Sequence, residues 1–242
     1  MIEFGFATFK RDYFEEITLA KSLGFSFFQI WFYNGILCAE TLPEPREKFV
    51  LDASFPIIIH ALFDLSDFEI YEERLLYLID YFKHKEVIIH PICEKSQITS
   101  NTVFLLKKKI EKISNKLIRQ NVKLFLENNH IVNGFFNSID DLRLIFDSNP
   151  EIGLLLDLAH INNYEHLEKI VKIRYPECIH IADRHFGTGH EHITLGEGEM
   201  DFGMIFSKII PKYEGKIILE ATDTIEGIKK SKEIMNKIFG IG

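Results

Sequence analysis

The residues able to do chemistry stand where short apolar runs of this sequence stop. Five such runs end in a histidine, a glutamate or an aspartate, and a sixth carries its histidine one step before the end. The six side chains are His60, His90, Glu127, Asp157, His180 and Glu220. Mixed imidazole and carboxylate ligands are typical of zinc, manganese, iron and cobalt sites, whereas magnesium and calcium prefer oxygen ligands alone.

The same runs recur with the spacing of alternating strands and helices. Their starts lie about 25 to 40 residues apart, which leaves room for one helix and two short loops between strands. Helical periodicity around Leu75 and Ile110 fills two of these gaps, and residues 225–239 predict a final amphipathic helix. The predicted strands lie near residues 2–8, 26–32, 56–60, 86–90, 122–127, 152–157, 178–182 and 216–221.

Eight strands that alternate with helices predict an α/β fold, a (β/α)8 TIM barrel in a single domain over residues 1–242. An open doubly wound sheet is the alternative, but it usually carries a glycine-rich turn after its first strand. Here residues 8–12 read TFKRD. Residues 34–53 are predicted to form a loop and a short helix over the mouth of the barrel. Such barrels hold their active sites at the C-terminal strand ends, so the six side chains would meet there.

Charge and composition narrow the functional classes. A formal net charge of −8 argues against a broad basic face for nucleic acid, although bound metal ions would cancel part of that charge locally. The longest apolar stretches are far shorter than the ~20 residues that cross a bilayer. The N-terminus lacks a signal-peptide pattern. The 3 cysteines occupy unrelated positions, which predicts reduced thiols in a cytoplasmic protein. From the short apolar stretches, no membrane partner is expected.

The predicted rim offers ligands for one to three divalent transition-metal ions, with zinc or manganese expected. Besides the six strand-end side chains, three histidines follow predicted strands six and seven closely. Carboxylates have two oxygens and can therefore bridge neighbouring ions. The predicted ligand groups are Glu127, Asp157, His180 and Glu220; His60 and His90 with Glu127 as a bridge; and His160, His190 and His192.

The segment IHIADRHFGTGHEHITLGEGEMDF, residues 179–202, resembles the most specific motif of the xylose isomerase-like barrels. That pattern is H-x-x-D followed by D-x-H-x-x-x-G-x-G, and the matching residues are His180, Asp183, His192, Gly196 and Gly198. Asp157 and His160, in the sequence DLAH, are similar to the family's D-x-x-H on the sixth strand. The resemblance runs essentially end to end. It implies a TIM barrel in which Glu127, Asp157, His180 and Glu220 are the shared metal ligands.

The family includes sugar isomerases and epimerases as well as AP endonucleases of the endonuclease IV type, and two departures bear on that choice. His190 stands where the endonuclease pattern has an aspartate, which alters the third metal site. No second glutamate follows Glu127 within a few residues, which argues against the two-glutamate mechanism of keto-sugar epimerases. The resemblance therefore specifies the metal site better than the substrate.

The leading hypothesis is a metal-dependent isomerase or epimerase of a small sugar, sugar phosphate or polyol. The metal would stabilise an enediolate while a proton moves between carbons. Glu127 or Glu220 would act as the base, and His160 would orient a hydroxyl group. Arg184 and His185 are candidate contacts for a phosphate or a hydroxyl, and Asn128 is a further candidate substrate contact.

Trp31 either stacks on a sugar face or lies buried under the following loop, and both placements stay open. The alternative function is a phosphodiesterase of the endonuclease IV type with a di- or tri-zinc site, and only this alternative has nucleic acid as a partner. A third hypothesis is a barrel that has lost catalysis and senses a metabolite. The sequence leaves the oligomeric state open.

Overall fold

The computed structural model describes residues 2–7, 12–38, 45–221 and 224–240. Eight parallel strands form a closed barrel, because β9 pairs with β1 and β1 pairs with β2. A short antiparallel strand, β3, pairs with the end of β2 outside the barrel. The strands are β1 (Glu3–Ala7), β2 (Phe27–Tyr33), β3 (Ile36–Cys38), β4 (Ile57–Asp64), β5 (Glu86–Ile92), β6 (Lys123–Glu127), β7 (Gly153–Asp157), β8 (Pro176–Ile181) and β9 (Lys216–Leu219).

The barrel strands alternate with helices that pack their apolar faces on the outside of the sheet. Two short 3-10 turns, Ile131–Asn133 and Leu158–His160, follow β6 and β7. No helix among the described residues is both long and apolar enough to cross a membrane. The helices are α1 (Tyr13–Ser22), α2 (Arg46–Asp52), α3 (Asp67–Tyr81), α4 (Thr102–Arg119), α5 (Ile139–Phe146), α6 (Tyr164–Ile173), α7 (Phe202–Met204), which continues as a π-helical turn (Ile205–Ile209), and α8 (Ile225–Phe239).

The predicted (β/α)8 barrel is therefore confirmed, and every predicted strand overlaps a barrel strand. The predicted apolar face of α4 is buried. Its residues are Leu106, Ile110, Ile113 and Leu117. Residues 34–53 differ in one detail from the predicted loop and short helix. The helix is α2, but β3 precedes it, because Asn34 (φ 49) and Gly35 (φ 81) form the tight two-residue turn that reverses a strand. Residues 8–11 and 39–44 lie outside the described residues.

Two of the six ligand-type side chains do not stand at strand ends as predicted. Strand β4 continues past His60 to Asp64, and β5 continues past His90 to Ile92. The strands are extended because Leu62 pairs with His90 and Asp64 pairs with Ile92 in the parallel ladder. The two histidines consequently lie inside the strands, where the backbone on both sides holds them in place.

Two successive layers of inward-facing side chains lie below and at the rim of the barrel. The lower layer, which we call the floor, is apolar and consists of Ala7, Phe27, Ile58, Ile88, Phe125, Leu155, Cys178 and Ile218. Side chains two positions apart on a strand point to the same face. Six floor residues are therefore followed, two positions later, by the six ligand-type side chains, and on β2 Phe27 is followed by Gln29. The period of two along each strand therefore places the polar layer directly above the apolar floor.

His84, between α3 and β5, is expected to make the stability of the fold depend on pH. Burial lowers its pKa to about 4, and its Nε2 has no hydrogen bond within the described residues. The pKa of a histidine in an unfolded chain is about 6.5. Between pH 6.5 and pH 4 the unfolded chain therefore binds a proton at His84 that the folded protein does not bind. This stability is present above pH 6.5 and is lost as the pH falls towards 4.

We expect His84→Leu to remove about 2 kcal/mol of the stability loss between pH 7 and pH 4.5. Urea denaturation of both proteins at the two pH values, with chelator present, measures the difference. An identical loss in wild type and variant would contradict the assignment.

Candidate metal centre

Glu127, the last residue of β6, lies at the centre of the rim and is 1% exposed. Its Oε2 is 2.8 Å from His60 Nε2 and 3.2 Å from His90 Nδ1. Its Oε1 is 3.4 Å from His180 Nδ1 and 3.6 Å from His160 Nδ1. Both oxygens of one buried carboxylate thus face imidazole nitrogens from different sides of the barrel. A carboxylate so placed can be shared between two ions.

Asp157, the last residue of β7, is the second shared carboxylate. Its Oδ2 is 3.1 Å from His192 Nε2, 3.3 Å from His160 Nε2 and 3.8 Å from His180 Nδ1. Its Oδ1 accepts a hydrogen bond of 2.6 Å from the backbone N–H of Ala159, which caps the 3-10 turn that follows β7. The turn brings His160 back over the aspartate, so the D-x-x-H spacing places two ligands on one point.

Candidate ligand atoms lie within 4.8 Å of one another in four overlapping groups. The structure thereby brings together the predicted first and third ligand groups. The predicted second group is only partly reproduced, since each of its two histidines meets Glu127 in a different group. Glu220, just past β9, joins the first group with its Oε2 2.6 Å from His180 Nδ1. The groups are Glu127, Asp157, His180 and Glu220; His60, Glu127 and His180; His90, Glu127 and His160; and His160, His190 and His192.

Hydrogen bonds on the far side of two rings determine which nitrogen is available to a metal. His90 Nε2 lies 2.5 Å from Asn129 Oδ1, and Asn129 is itself oriented by a 2.7 Å bond from Nδ2 to the Pro91 carbonyl. His160 Nδ1 donates to the Asn128 carbonyl at 2.8 Å. The free lone pairs are therefore on His90 Nδ1 and His160 Nε2. His160 consequently serves the third group, beside His190, rather than Glu127.

Four buried polar atoms of the rim contact, among the described residues, ionisable rim side chains rather than backbone or neutral hydrogen-bond partners. They are His60 Nε2, His90 Nδ1, Glu127 Oε2 and His180 Nδ1. A metal ion could replace the protons that these contacts share, because imidazole and carboxylate ligands bind such ions in their deprotonated forms. These four atoms face one another around a shared space that could hold an ion. The donor set therefore fits divalent transition ions such as zinc or manganese, which take nitrogen and oxygen ligands together.

Burial and the contacts among the rim residues set the ionisation states of the candidate ligands. Burial opposes ionisation of Glu127, but the charges of His90 and His180 outweigh it and hold its pKa well below the usual value. Burial likewise opposes charge on His180, yet Glu220 and Glu127 raise its pKa well above the usual value. Burial lowers the pKa of His190 to about 4, which leaves its ring neutral at pH 7. Metal binding would therefore displace protons from the ligating imidazole nitrogens.

Two predicted substrate contacts, Arg184 and Asn128, are engaged by the protein itself. Arg184 is 3% exposed, and its Nη1 donates to the carbonyl of Ala159 at 2.6 Å and to His130 Nε2 at 2.8 Å. The amide of Asn128 accepts from the backbone N–H of Asp157 at 2.8 Å and donates to its carbonyl at 3.3 Å. Both side chains position the loops that carry ligands, and a substrate contact would have to break these bonds.

The other two predicted contacts are more accessible. Trp31 stacks on His60 with ring centroids 4.1 Å apart, so it forms a wall of the candidate site and remains partly exposed. His185 lies on the surface with Nδ1 3.1 Å from Glu191 Oε2. Contact of either residue with a substrate stays a prediction.

Asp183 of the H-x-x-D motif fastens the loop that carries His190 and His192. Its carboxylate accepts backbone N–H bonds from Arg184, Gly196 and Met200 at 2.8 to 3.1 Å. At Gly198 a Cβ atom would lie 2.4 Å from both the Arg184 carbonyl and the Asp183 carboxylate, so only glycine fits there. The G-x-G spacing is thus a packing requirement around Asp183, and it brings two histidines to the rim.

Three rim residues escape sequence reasoning: Gln29, Asn129 and His130. Gln29 is 0% exposed and lies between His60 and His180. The sequence does contain one indication of this position. Phe27, Gln29 and Trp31 alternate along β2, so they share the inward face, and this period predicts a polar side chain in the layer of the ligands. Asn129 and His130 follow the end of β6 without any periodicity, and only the fold shows their contacts.

The structure is a (β/α)8 barrel with buried histidines and carboxylates gathered at its C-terminal rim, the face that carries the active sites of such barrels. The chain belongs to the xylose isomerase-like TIM barrel family, whose model matches residues 17–238. No functionally curated protein matches the sequence significantly.

Solved structures share the fold at low sequence identity. A D-tagatose 3-epimerase-like protein has a TM-score of 0.80 at 20% identity, over 99% of this chain and 97% of that one. The IolI protein with a binding zinc atom has a TM-score of 0.75 at 16% identity, over 98% and 97%. An AP endonuclease, family 2, from Brucella melitensis has a TM-score of 0.66 at 14% identity, over 99% of both chains. These similarities establish the fold.

Proposed function

We propose that this protein is a metal-dependent phosphodiesterase that uses two or three zinc or manganese ions. The observation that carries the proposal is the sharing of Glu127 and Asp157 among histidines of three neighbouring ligand groups. Clustered ions bridged by carboxylates stabilise both the attacking and the leaving oxygen of a phosphate ester.

The environment of Glu127 changes the order of the two hypotheses that the sequence favours. As the base of an isomerase, Glu127 would need an oxygen directed at a substrate carbon. Both of its oxygens instead face imidazoles, His60 and His90 on one side and His180 on the other. Of the other described rim carboxylates, Asp157 also faces histidines, and only Glu220, 13% exposed on its side chain, has a face open to a substrate.

The residues of the chain have separate tasks in the proposed reaction. Bound ions would supply an activated water and stabilise the leaving oxygen. Asp157 and Glu127 hold negative charge at neutral pH, and the 3-10 turn after β7 fixes His160 beside Asp157. The ring of Trp31, which packs against His60 and is partly exposed, can receive the sugar or base next to the phosphate.

We expect metal-loaded protein to cleave a duplex with one abasic site or a simple aryl phosphodiester. His160→Ala should lower the rate at least about 100-fold, because it removes a ligand of the third group and a neighbour of Asp157. His84→Leu, a change beside the N-terminal end of β5 and away from the rim, should leave it unchanged. With a net charge of −8, binding to intact duplex should be weak and sensitive to salt. Absence of cleavage by protein shown to hold at least two ions would contradict the proposal.

The second candidate is a sugar isomerase or epimerase, favoured by the open face of Glu220 and by the similarity to an epimerase-like protein. Removal of a proton from carbon in deuterated water leaves deuterium beside the carbonyl of the recovered sugar. If this candidate holds, Glu220→Gln abolishes the exchange and His84→Leu preserves it. Exchange without phosphodiester cleavage would reverse the order of the two candidates.

A further inference from the structure

Gln29 joins two candidate ligand histidines that come from different sides of the barrel. Its side chain is fully buried, and its amide points up from the floor between β4 and β8. Gln29 Nε2 lies 3.0 Å from His60 Nδ1, and Gln29 Oε1 lies 2.8 Å from His180 Nε2. The two imidazole rings are 5.2 Å apart. A single amide group therefore serves the far nitrogens of both rings.

A metal ion bound to either ring requires a proton on the nitrogen that faces Gln29. His60 presents Nε2 to Glu127, and His180 presents Nδ1 to Glu220. A neutral imidazole that uses one nitrogen as a ligand carries its proton on the other. With ions on both rings, two N–H groups would point at one amide, which has its oxygen on one side and its NH2 group on the other. Only one of them finds an acceptor, and turning the amide merely exchanges the two rings.

The other two rim histidines with a fixed far nitrogen are free of this conflict. His90 has Asn129 Oδ1 to itself, and the Pro91 carbonyl prevents that amide from turning. His160 donates to a backbone carbonyl. The opposition is thus confined to His60 and His180.

We propose that Gln29 makes metal binding by His60 and by His180 mutually opposed, so that the ions enter in a fixed order. With the amide in the orientation of this structure, His180 donates to Oε1 and can bind an ion through Nδ1 in exchange for the proton it shares with Glu220. His60 accepts from the amide, keeps its proton on Nε2 and holds Glu127 through it. The group of Glu127, Asp157, His180 and Glu220, which has three carboxylates, fills first and tightly, and the ion beside His60 and His90 fills second and weakly. The inference requires metal at the rim but no particular reaction.

The test is stepwise zinc binding by chelator-buffered titration calorimetry, with imidazole nitrogens followed by NMR. In wild type, the first equivalent of zinc should shift the His180 nitrogens and leave those of His60 unchanged. Gln29→Glu supplies acceptors for both rings, and Gln29→Leu removes the conflict without adding charge. The ratio of first to second affinity should fall at least about tenfold in both variants. The leucine variant excludes a simple charge effect as the cause.

His84→Leu should leave the ratio as in wild type. Simultaneous response of His60 and His180 to the first equivalent in wild type, or an unchanged ratio in both Gln29 variants, would overturn the proposal. Protein that binds no zinc at all would overturn the metal centre itself. Ordered binding without phosphodiester cleavage would support this inference and contradict only the proposed function.

Discussion

Replacement of Glu127 by glutamine is expected to remove metal from all the ligand groups that share this carboxylate. The oxygens of Glu127 face histidines of different groups, and glutamine offers one neutral oxygen in place of two charged ones. Its NH2 group would also point at an imidazole lone pair. We expect metal affinity to fall by more than about 100-fold. Elemental analysis of purified, dialysed protein measures the loss, and circular dichroism verifies the fold.

Two further variants test whether Glu127 is shared. Glu220→Ala should empty only the group of His180, because Glu220 contacts that histidine alone at close range. Glu177→Gln, a change in β8 near the opposite end of the barrel, should keep the metal content of wild type. Equal metal content in wild type and Glu127→Gln would contradict the sharing of Glu127 between ions. The argument for a centre with several ions would then fail.

Replacement of Phe125 by alanine is expected to be among the most destabilising single changes in the barrel. Phe125 is 3% exposed in the floor, two positions below Glu127. It fills the space that Gly153 leaves, since a Cβ atom on Gly153 would lie 2.6 Å from its ring. Loss of such a ring leaves a cavity and typically costs about 3 to 5 kcal/mol. Urea denaturation with chelator present measures this cost without any contribution from metal.

The matched control is Phe104→Ala, because Phe104 on α4 is 46% exposed and should cost less than about 1 kcal/mol. Wild-type protein treated with chelator should remain folded, since the floor and the outer core contain no candidate metal ligand. A similar loss in both phenylalanine variants would show that the floor is not a tightly packed layer.

The barrel and the positions of its ligands could be predicted from the sequence because both depend on strand periodicity. A parallel barrel buries both faces of each strand, so strands appear as short apolar runs, and their C-terminal ends meet at one rim. The adjacent Asn34 and Gly35 are typical of a two-residue hairpin turn, and the structure places the short strand β3 directly after them. The continuation of β4 past His60 was not visible, since pairing with β5 decides where the strand ends.

Side-chain contacts within the rim could not be predicted, because residues far apart in the sequence meet there. The sequence offers Arg184 and Asn128 as substrate contacts, whereas the structure shows their polar groups bonded to neighbouring loops. It contains no sign that Asn129 orients His90, or that Gln29 lies between His60 and His180. Residue type and strand period therefore determined which ligands this protein brings to the rim. Only tertiary packing decided which nitrogen each imidazole presents, because that depends on the hydrogen-bond partner at the far side of the ring.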